Sequence, residues 1–269
     1  MGTVTKALSL LNYFNHGRLE LGLSEITRLS GMNKATVYRL MSELQMAGFV
    51  EQIGNDRSYR LGSEVLRLAA LREATVPLLS VSQDILHRLC TRTGETAHVS
   101  LIQGQQLNTL THAYSQQHGT RVTMEYAEIL SFHGTGSGLA FLAFAEPDFV
   151  EHVLSGPLDV HTPQTQTNPE RLRSALTTIR KQGFAESIGG FETDVHSHAA
   201  PIFGSDQQPV GALAVAAPVS RITPELTNLI RTELVTAAQE LTRRSGGFCP
   251  PHYPSQPVET RAAHDTDAA

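Results

Sequence analysis

Residues 23–61 constrain the fold most, because they place two short helical patterns directly before a hairpin pattern. Ser24 is the predicted N-cap of a helix over 25–30, since its hydroxyl can accept a bond from the first turn. After a glycine turn, Asn33 is the predicted N-cap of a second helix over 34–47, which a further glycine ends. Two helices this close, separated by a tight turn, are typical of a helix-turn-helix.

The residues on either side complete a known arrangement of elements. Apolar residues at helical spacing predict a first helix over 4–15. Short strands are predicted over 49–53 and 58–61, and the Gly-Asn-Asp-Arg sequence at 54–57 has the chemistry of the turn between them. Three helices followed by a hairpin predict a winged helix-turn-helix domain over residues 1–62.

The helix over 34–47 has two chemically different faces. One stripe is apolar and must face the domain core; it consists of Val37, Leu40, Met41 and Leu44. The opposite face and its flanks are small, hydroxylated and basic, and we predict that they contact DNA through Lys34, Ala35, Thr36, Tyr38, Arg39 and Ser42. Arg39 is expected to donate two bonds to guanine, and Ala35 to touch a thymine methyl.

Ser24 and the wing residues Arg57 and Arg60 are expected to contact phosphates. The alternative is a winged helix used for protein contacts, with Arg39 a solvated charge.

The distribution of charge is compatible with a nucleic-acid partner, although the whole chain carries a net charge of −5. Residues 1–62 contain seven Lys and Arg against five Asp and Glu, a net charge of +2. The remaining residues contain 14 basic against 21 acidic side chains, a net charge of −7. A basic head on an acidic body keeps the cationic field local, as DNA binding through one end requires.

The rest of the chain divides into a linker, a larger domain and a tail. A strongly helical segment over 63–76 is the predicted linker helix. Helical and strand patterns mix over 77–244, which predicts an α+β domain with an antiparallel sheet and helices on its faces. The last segment, 245–269, is rich in Pro, Gly, Ser and Thr, and we predict a disordered tail.

Several classes of protein are excluded by composition. The sequence has no run of eighteen apolar residues, so no membrane span is predicted, and its first residues read as an amphipathic helix rather than a signal peptide. The two cysteines, Cys90 and Cys249, form no CxxC pair, which favours a reducing cytoplasm over a disulfide or zinc framework. We therefore expect a cytoplasmic protein without a cofactor.

Residues 133–138, His-Gly-Thr-Gly-Ser-Gly, form the most distinctive loop and lead into an apolar helix predicted from Leu139. Converging backbone N–H groups at a helix start can bind a carboxylate, so a ligand site is one interpretation. A tight turn with a buried cap is the other. The loop lacks the Lys of a P-loop and the GxSxG spacing around Ser137 of a hydrolase, so it predicts no catalytic residue.

The histidines raise the question of a metalloenzyme. His196 and His198 are two residues apart on a predicted strand, and their side chains would share one face. No HExxH sequence is present, and no third ligand has a recognisable spacing, so we predict no metal site. The alternative class of function is a small-molecule-binding enzyme or metalloprotein with an incidental winged helix; stoichiometric zinc in the purified protein would favour it.

The sequence resembles the IclR family of bacterial transcription factors over about residues 3–244. The likeness includes LSEITRLSGMNKATVYRLMSELQMAGFVEQ, RSYRLG, TGETAHVSLIQG, FHGTGSGLAFLAF and RKQGFAESIGGFETDVHSHAAPI, in the family's order. The resemblance implies a GAF-like effector-binding domain, a dimer often paired into a tetramer, a pseudo-palindromic double-stranded DNA operator, and control of a catabolic operon as repressor or activator. The linker helix would then connect ligand binding to the placement of the DNA-binding domains.

The resemblance also implies an effector pocket. Residues in the matching positions are Val122, Leu130, Gly136, Ser137, Ile188, Ser197, Ala214 and Ala216. The sequence departs from the family pattern twice: an acidic residue is replaced around Ser187 and Ile188, and alanines stand at 214 and 216 where small polar residues are usual. These changes predict a pocket less polar than one for a two- or three-carbon keto acid. The expected effector is a small organic acid of larger size, with an aromatic acid as one candidate.

Overall fold

The computed structural model describes residues 2–14, 17–54, 57–75 and 78–254. The chain divides into two compact units, residues 1–77 and 78–269. Among the described residues, no helix is long and apolar enough to cross a bilayer. Parts of four predictions lie outside the described residues: Asn15 of the first helix, the turn residues Asn55 and Asp56, the end of the linker helix at 76, and the tail beyond residue 254. The first helix ends at Leu11, earlier than the predicted 15.

The first unit is the predicted winged helix-turn-helix. Its elements are α1 (Thr3–Leu11), α2 (Leu23–Ser30), α3 (Lys34–Met46), β1 (Val50–Ile53), β2 (Ser58–Leu61) and α4 (Ser63–Thr75). Strands β1 and β2 pair antiparallel, and Leu21 exchanges two 2.9 Å backbone bonds with Tyr59 to extend this hairpin. Tyr59 is buried with Leu10, Leu21 and Ile26, so the wing is anchored in the core of the unit.

The start of α2 differs from the prediction. The helix begins at Leu23 and its N-cap is Gly22, which offers no side-chain cap, so Ser24 is an exposed residue of the first turn and the predicted capping role is wrong. Asn33 does cap α3, since its Oδ1 accepts from the Thr36 N–H at 2.8 Å. The predicted apolar stripe of α3 is buried.

The second unit is a six-stranded antiparallel sheet covered by helices on both faces. Its helices are α5 (Leu78–Thr93), α6 (Gly136–Leu142), α7 (Pro147–Ser155), α8 (Pro169–Gln182) and α9 (Pro224–Arg244). Its strands are β3 (Thr96–Gln103), β4 (Gln106–Ala113), β5 (Ile129–Leu130), β6 (Ala185–Ile188), β7 (Val195–Phe203) and β8 (Pro209–Pro218), in the spatial order β5-β4-β3-β8-β7-β6.

Alternation along the central strands gives each face its own apolar core. Ala199 and Ala214 point to the face where α6, α7 and α8 pack. Ala200 and Val215 point to the opposite face, where α5 and α9 pack. Asn168 and Thr223 are the N-caps of α8 and α9, and their side chains accept bonds from the first turns of these helices.

The prediction of a disordered tail from residue 245 is wrong for the residues described. The Gly247 N–H donates to Thr242 O at 2.8 Å, and the Tyr253 hydroxyl donates to Gly183 O at 2.9 Å. The Tyr253 ring is buried against Phe144 and Phe203. Burial of one aromatic ring offsets the ordering cost of a Pro- and Gly-rich segment, which composition averaged over the tail does not show.

Candidate functional site

The solvent-facing side of α3 carries the residues predicted to contact DNA. Lys34, Ala35, Tyr38 and Arg39 are exposed, whereas Thr36 and Ser42 are half-buried. The Ser42 hydroxyl donates to Tyr38 O at 2.9 Å, so it is bonded within the helix. Within the described ranges, neither Lys34 nor Arg39 has an ion-pair partner. This face therefore presents two cationic side chains that are not paired within the described ranges. The buried apolar stripe on the other side of α3 packs the helix against the domain core.

The two wing arginines differ from each other. Arg57 is exposed, and its backbone has a φ of 55°, a left-handed conformation that is uncommon for residues other than glycine. Arg60 Nε donates to Glu51 Oε1 at 2.6 Å, in a cross-strand pair that the sequence reasoning did not anticipate. Because both partners are about half exposed, the pair contributes little stability, and a phosphate can compete with Glu51 for Arg60.

A cavity lies in the second unit between the α6 side of the sheet and the segment 122–130. Five of the predicted ligand residues line it: Val122, Leu130, Ser137, Ser197 and Ala216. Three do not. The Gly136 N–H donates to Ser197 Oγ, Ala214 is fully buried, and Ile188 is 57% exposed on the edge strand. The resemblance thus implies a residue set of which five members lie around one cavity, and their role in ligand binding stays a prediction.

The glycine loop is built differently from an open carboxylate cradle. Helix α6 begins at Gly136 instead of Leu139, so the last two glycines belong to the helix. Most N–H groups of the loop are taken by the protein itself: Gly134 donates to Ser131 Oγ, Thr135 to Ser131 O, Gly136 to Ser197 Oγ and Gly138 to Thr135 Oγ1. The loop therefore serves mainly for close packing, which the second interpretation of the sequence predicts.

Substitution of Gly138 by alanine is expected to destabilise the second unit by about 1–3 kcal/mol, because added volume in a packed site forces the backbone to move. A Cβ at Gly138 would lie 2.4 Å from Phe132 Cα and from Ser131 O. Gly119→Ala is the matched control, since a Cβ there has no neighbour within 4 Å. Denaturant unfolding measures both variants, and equal stability of the two would contradict the packing role.

His98 is a cavity residue that the sequence reasoning missed. It is buried on β3, and its Nε2 lies 3.2 Å from the Ser137 hydroxyl, while its Nδ1 has no hydrogen-bond partner among the residues that the structure describes. Burial lowers the pKa of His98 to about 4, so the ring is neutral at physiological pH. The available signal was the alternation of Thr96, His98 and Ser100 on one face of an otherwise apolar strand.

The low pKa of His98 predicts acid-dependent loss of stability. The unfolded chain binds a proton near pH 6.5 and the folded chain only near pH 4, so the free energy of unfolding should fall as pH decreases between these values. The loss is on the order of 3 kcal/mol. Denaturant unfolding from pH 7 to 4 should show a shallower slope for His98→Gln, with the exposed His152→Gln as control. Equal slopes for both variants would contradict the assignment.

Acidic groups complete the cavity lining. Glu128 is half-buried and Glu192 is exposed, and the lining drawn from the described residues contains no Lys or Arg. Burial, together with the neighbouring Glu192 and Glu125, raises the pKa of Glu128. The apolar part of the wall comes from Val122, Met124, Leu130, Phe191, Val195 and Ala216. The cavity volume is about 40 Å³, space for a few water molecules.

Comparisons with known proteins match both units of the chain. Residues 3–54 match the IclR helix-turn-helix domain, and residues 72–243 match the bacterial transcriptional regulator IclR C-terminal domain. The chain belongs to the IclR family. Regulators of this family bind DNA and small-molecule effectors and are not enzymes, so this member is a DNA-binding transcriptional regulator with an N-terminal helix-turn-helix and a C-terminal effector domain.

Individual relatives agree with this membership. The chain is 28% identical over 250 residues to the HTH-type transcriptional regulator XynR of Escherichia coli, covering 91% of this chain and 97% of that protein. A crystal structure of an IclR transcriptional regulator from Silicibacter is 62% identical, with a TM-score of 0.92 and coverage of 94% and 100%. An IclR homologue from Microbacterium hydrocarbonoxydans, complexed with 4-hydroxybenzoate, is 26% identical, with a TM-score of 0.76 and coverage of 90% and 99%.

Proposed function

We propose that this IclR-family regulator controls a catabolic operon in response to a small-molecule effector that occupies the cavity of the second unit. The observation that carries the DNA-binding part is the outer face of α3, where Lys34 and Arg39 are exposed without ion-pair partners in the described part of the chain. Arg39 reads a base edge, and Ser24, Arg57 and Arg60 contact the backbone.

The proposed operator is pseudo-palindromic because the proposed assembly is a homodimer. Val4 and Leu8 lie one turn apart on α1 and are 73% and 47% exposed, and Leu66 on α4 is 75% exposed. Adjacent exposed apolar side chains such as Val4 and Leu8 support a surface that another chain covers. A second copy pairs the two α3 helices with successive half-sites on one face of the duplex. Two such dimers can form a tetramer.

The proposed effector is an organic acid with an apolar body, such as an aromatic acid. The apolar wall supports this size class, and the Microbacterium relative is complexed with 4-hydroxybenzoate. Such a ligand is larger than the cavity volume of about 40 Å³, so part of the cavity wall moves outward when it enters. Neutral His98 and the hydroxyls of Ser137 and Ser197 supply the polar contacts.

Glu128 makes binding of an acid proton-linked. A carboxylate beside Glu128 is favoured when the Glu128 carboxyl is protonated and donates a hydrogen bond, so affinity should rise as pH falls. Effector binding alters DNA affinity only if the two arrangements of the DNA-binding domains bind the effector differently. Helix α4, which precedes the second unit in the chain, is the proposed link.

The test is a ligand series on the full chain. Thermal shift with 4-hydroxybenzoate, benzoate, pyruvate and glyoxylate should show stabilisation by the aromatic acids and none by the keto acids. Glu128→Gln should retain binding of the aromatic acids and lose its pH dependence. Stabilisation by the keto acids alone would contradict the proposed effector class, and loss of operator binding with every ligand and without ligand would contradict the regulatory role.

A further inference from the structure

His196 and His198 form a cluster on the face of the sheet that α5 and α9 cover, opposite the cavity. Their rings stack with centroids 4.3 Å apart and planes 19° from parallel. Glu186 on the edge strand β6 is the direct cross-strand neighbour of His198. One ligand atom from each of the three side chains lies within 4.8 Å of the others. The sequence spacing showed only the histidine pair; the pairing of β6 with β7 supplies the third group.

Three ring nitrogens of this cluster have no hydrogen-bond partner among the described residues. His198 is fully buried, and both of its ring nitrogens are without such a partner; His196 is 6% exposed, and its Nε2 has none within the same ranges. The 3.2 Å approach of His198 Nε2 to Glu186 Oε1 lacks the angles of a hydrogen bond. Buried polar atoms without partners cost free energy, so a site that keeps three of them together calls for a bound group.

Arg231 on α9 places a positive charge beside the position that a bound cation would occupy. It donates to Glu186 Oε1 from Nε at 3.0 Å and from a terminal nitrogen at 2.7 Å, and its guanidinium lies over the Phe184 ring. A carboxylate has two oxygens, so one can bind a cation while the other keeps its bond to arginine. Carboxylate ligands of metals are commonly held by such an outer hydrogen bond.

We propose that Glu186, His196 and His198 bind one divalent transition-metal ion, with zinc as the best match. Two imidazole nitrogens and one carboxylate oxygen are a ligand set that zinc accepts, with a further position for water. An imidazole binds a metal in its neutral form, and burial of both rings favours that form.

The position of this site gives it a structural consequence for the cavity. On β6, Ser187 follows Glu186 and lines the cavity from the opposite face. On β7, Ser197 lies between the two histidines and also lines the cavity. An ion that joins β6 to β7 on one face therefore fixes the spacing of two serines on the other. This site is independent of the effector proposal, since its residues are not those of the cavity.

The experiment first removes bound metal from the whole chain with a chelator. Zinc is then titrated into the chain in competition with a second, chromogenic chelator. We expect one zinc ion per chain, and a loss of affinity of about 100-fold or more in His196→Asn. His152→Asn is the matched control, because His152 is exposed on α7 and outside the cluster. This control should bind zinc as the wild type does.

The visible absorption spectrum of the cobalt-loaded wild type is a second measurement, and it does not depend on substituting a buried residue. Co²⁺ bound to the wild type should show the intense visible bands of four-coordinate nitrogen and oxygen ligation, and zinc should displace it. A wild-type chain that takes up no zinc and shows no such bands would overturn the proposal. Undiminished zinc binding by a folded His196→Asn chain would also overturn it, since the metal would then lie elsewhere.

Discussion

Replacing Arg39 with alanine is expected to weaken binding to the operator by about 5- to 150-fold and to relax sequence preference at one base pair of each half-site. Arg39 is exposed on the outer face of α3 and has no ion-pair partner in the described ranges, so its guanidinium can form two bonds to a guanine. Fluorescence anisotropy at one fixed salt concentration, with operator and base-substituted duplexes, measures both effects.

Two further variants separate base reading from backbone contact. Arg57→Ala should weaken all duplexes alike and reduce the salt dependence of binding, because a phosphate contact carries no sequence information. Arg171→Ala is the control, since Arg171 is equally exposed but lies on α8 of the effector domain. Wild-type operator affinity in Arg39→Ala, or an equal loss in Arg171→Ala, would contradict the assignment of the recognition face.

Replacing Arg221 with methionine is expected to lower the free energy of unfolding of the effector domain by about 3–5 kcal/mol, because it leaves a buried charge without its partner. Arg221 and Glu95 form a two-pronged pair, with both N–O distances at 2.6 Å, and the Glu95 side chain is 1% exposed. Arg221 also donates to Thr120 O at 2.9 Å, at the start of the segment that covers the cavity. Urea unfolding measures the loss.

The double variant Glu95→Gln/Arg221→Met tests the electrostatic origin of that loss. Removal of both charges leaves no unpaired ion, so we expect it to recover most of the stability. Arg92→Met is a useful comparison because Arg92 is 63% exposed in its pair with Glu233, whose side chain is 16% exposed. Solvent screens this pair more than the pair of Arg221 with Glu95, so we expect a smaller loss. A double variant no more stable than Arg221→Met would show that packing, not charge, explains the effect.

The parts of the fold that depend on local chemistry could be predicted from sequence. Asn33 caps the helix that the pattern assigned to it, because capping involves residues three apart in the chain. The apolar stripe of α3 was visible for the same reason, since helical periodicity alone decides which side is buried. The exposed recognition face follows directly from that stripe.

The features that were missed depend on pairs that are distant in the chain. Glu51 neutralises Arg60 across the hairpin, and Glu186 joins His198 only because β6 pairs with β7. His98 lines the cavity through its contact with Ser137, 39 residues away. Tyr253 is buried by Phe144 and Phe203, so the composition of its own segment could not show that it is ordered. Periodicity gives the face of a residue but not the neighbour that it meets there.

Recognition of a DNA duplex by the outer face of α3 is the central property proposed for this chain. The decisive measurement is an anisotropy titration of the purified chain with DNA from the region upstream of its own gene and with a shuffled duplex of equal composition. We expect tighter binding to the upstream DNA than to the shuffled duplex, and an affinity that falls steeply as salt increases. Equal affinity for both duplexes at every salt concentration, with and without the aromatic acids, would contradict it.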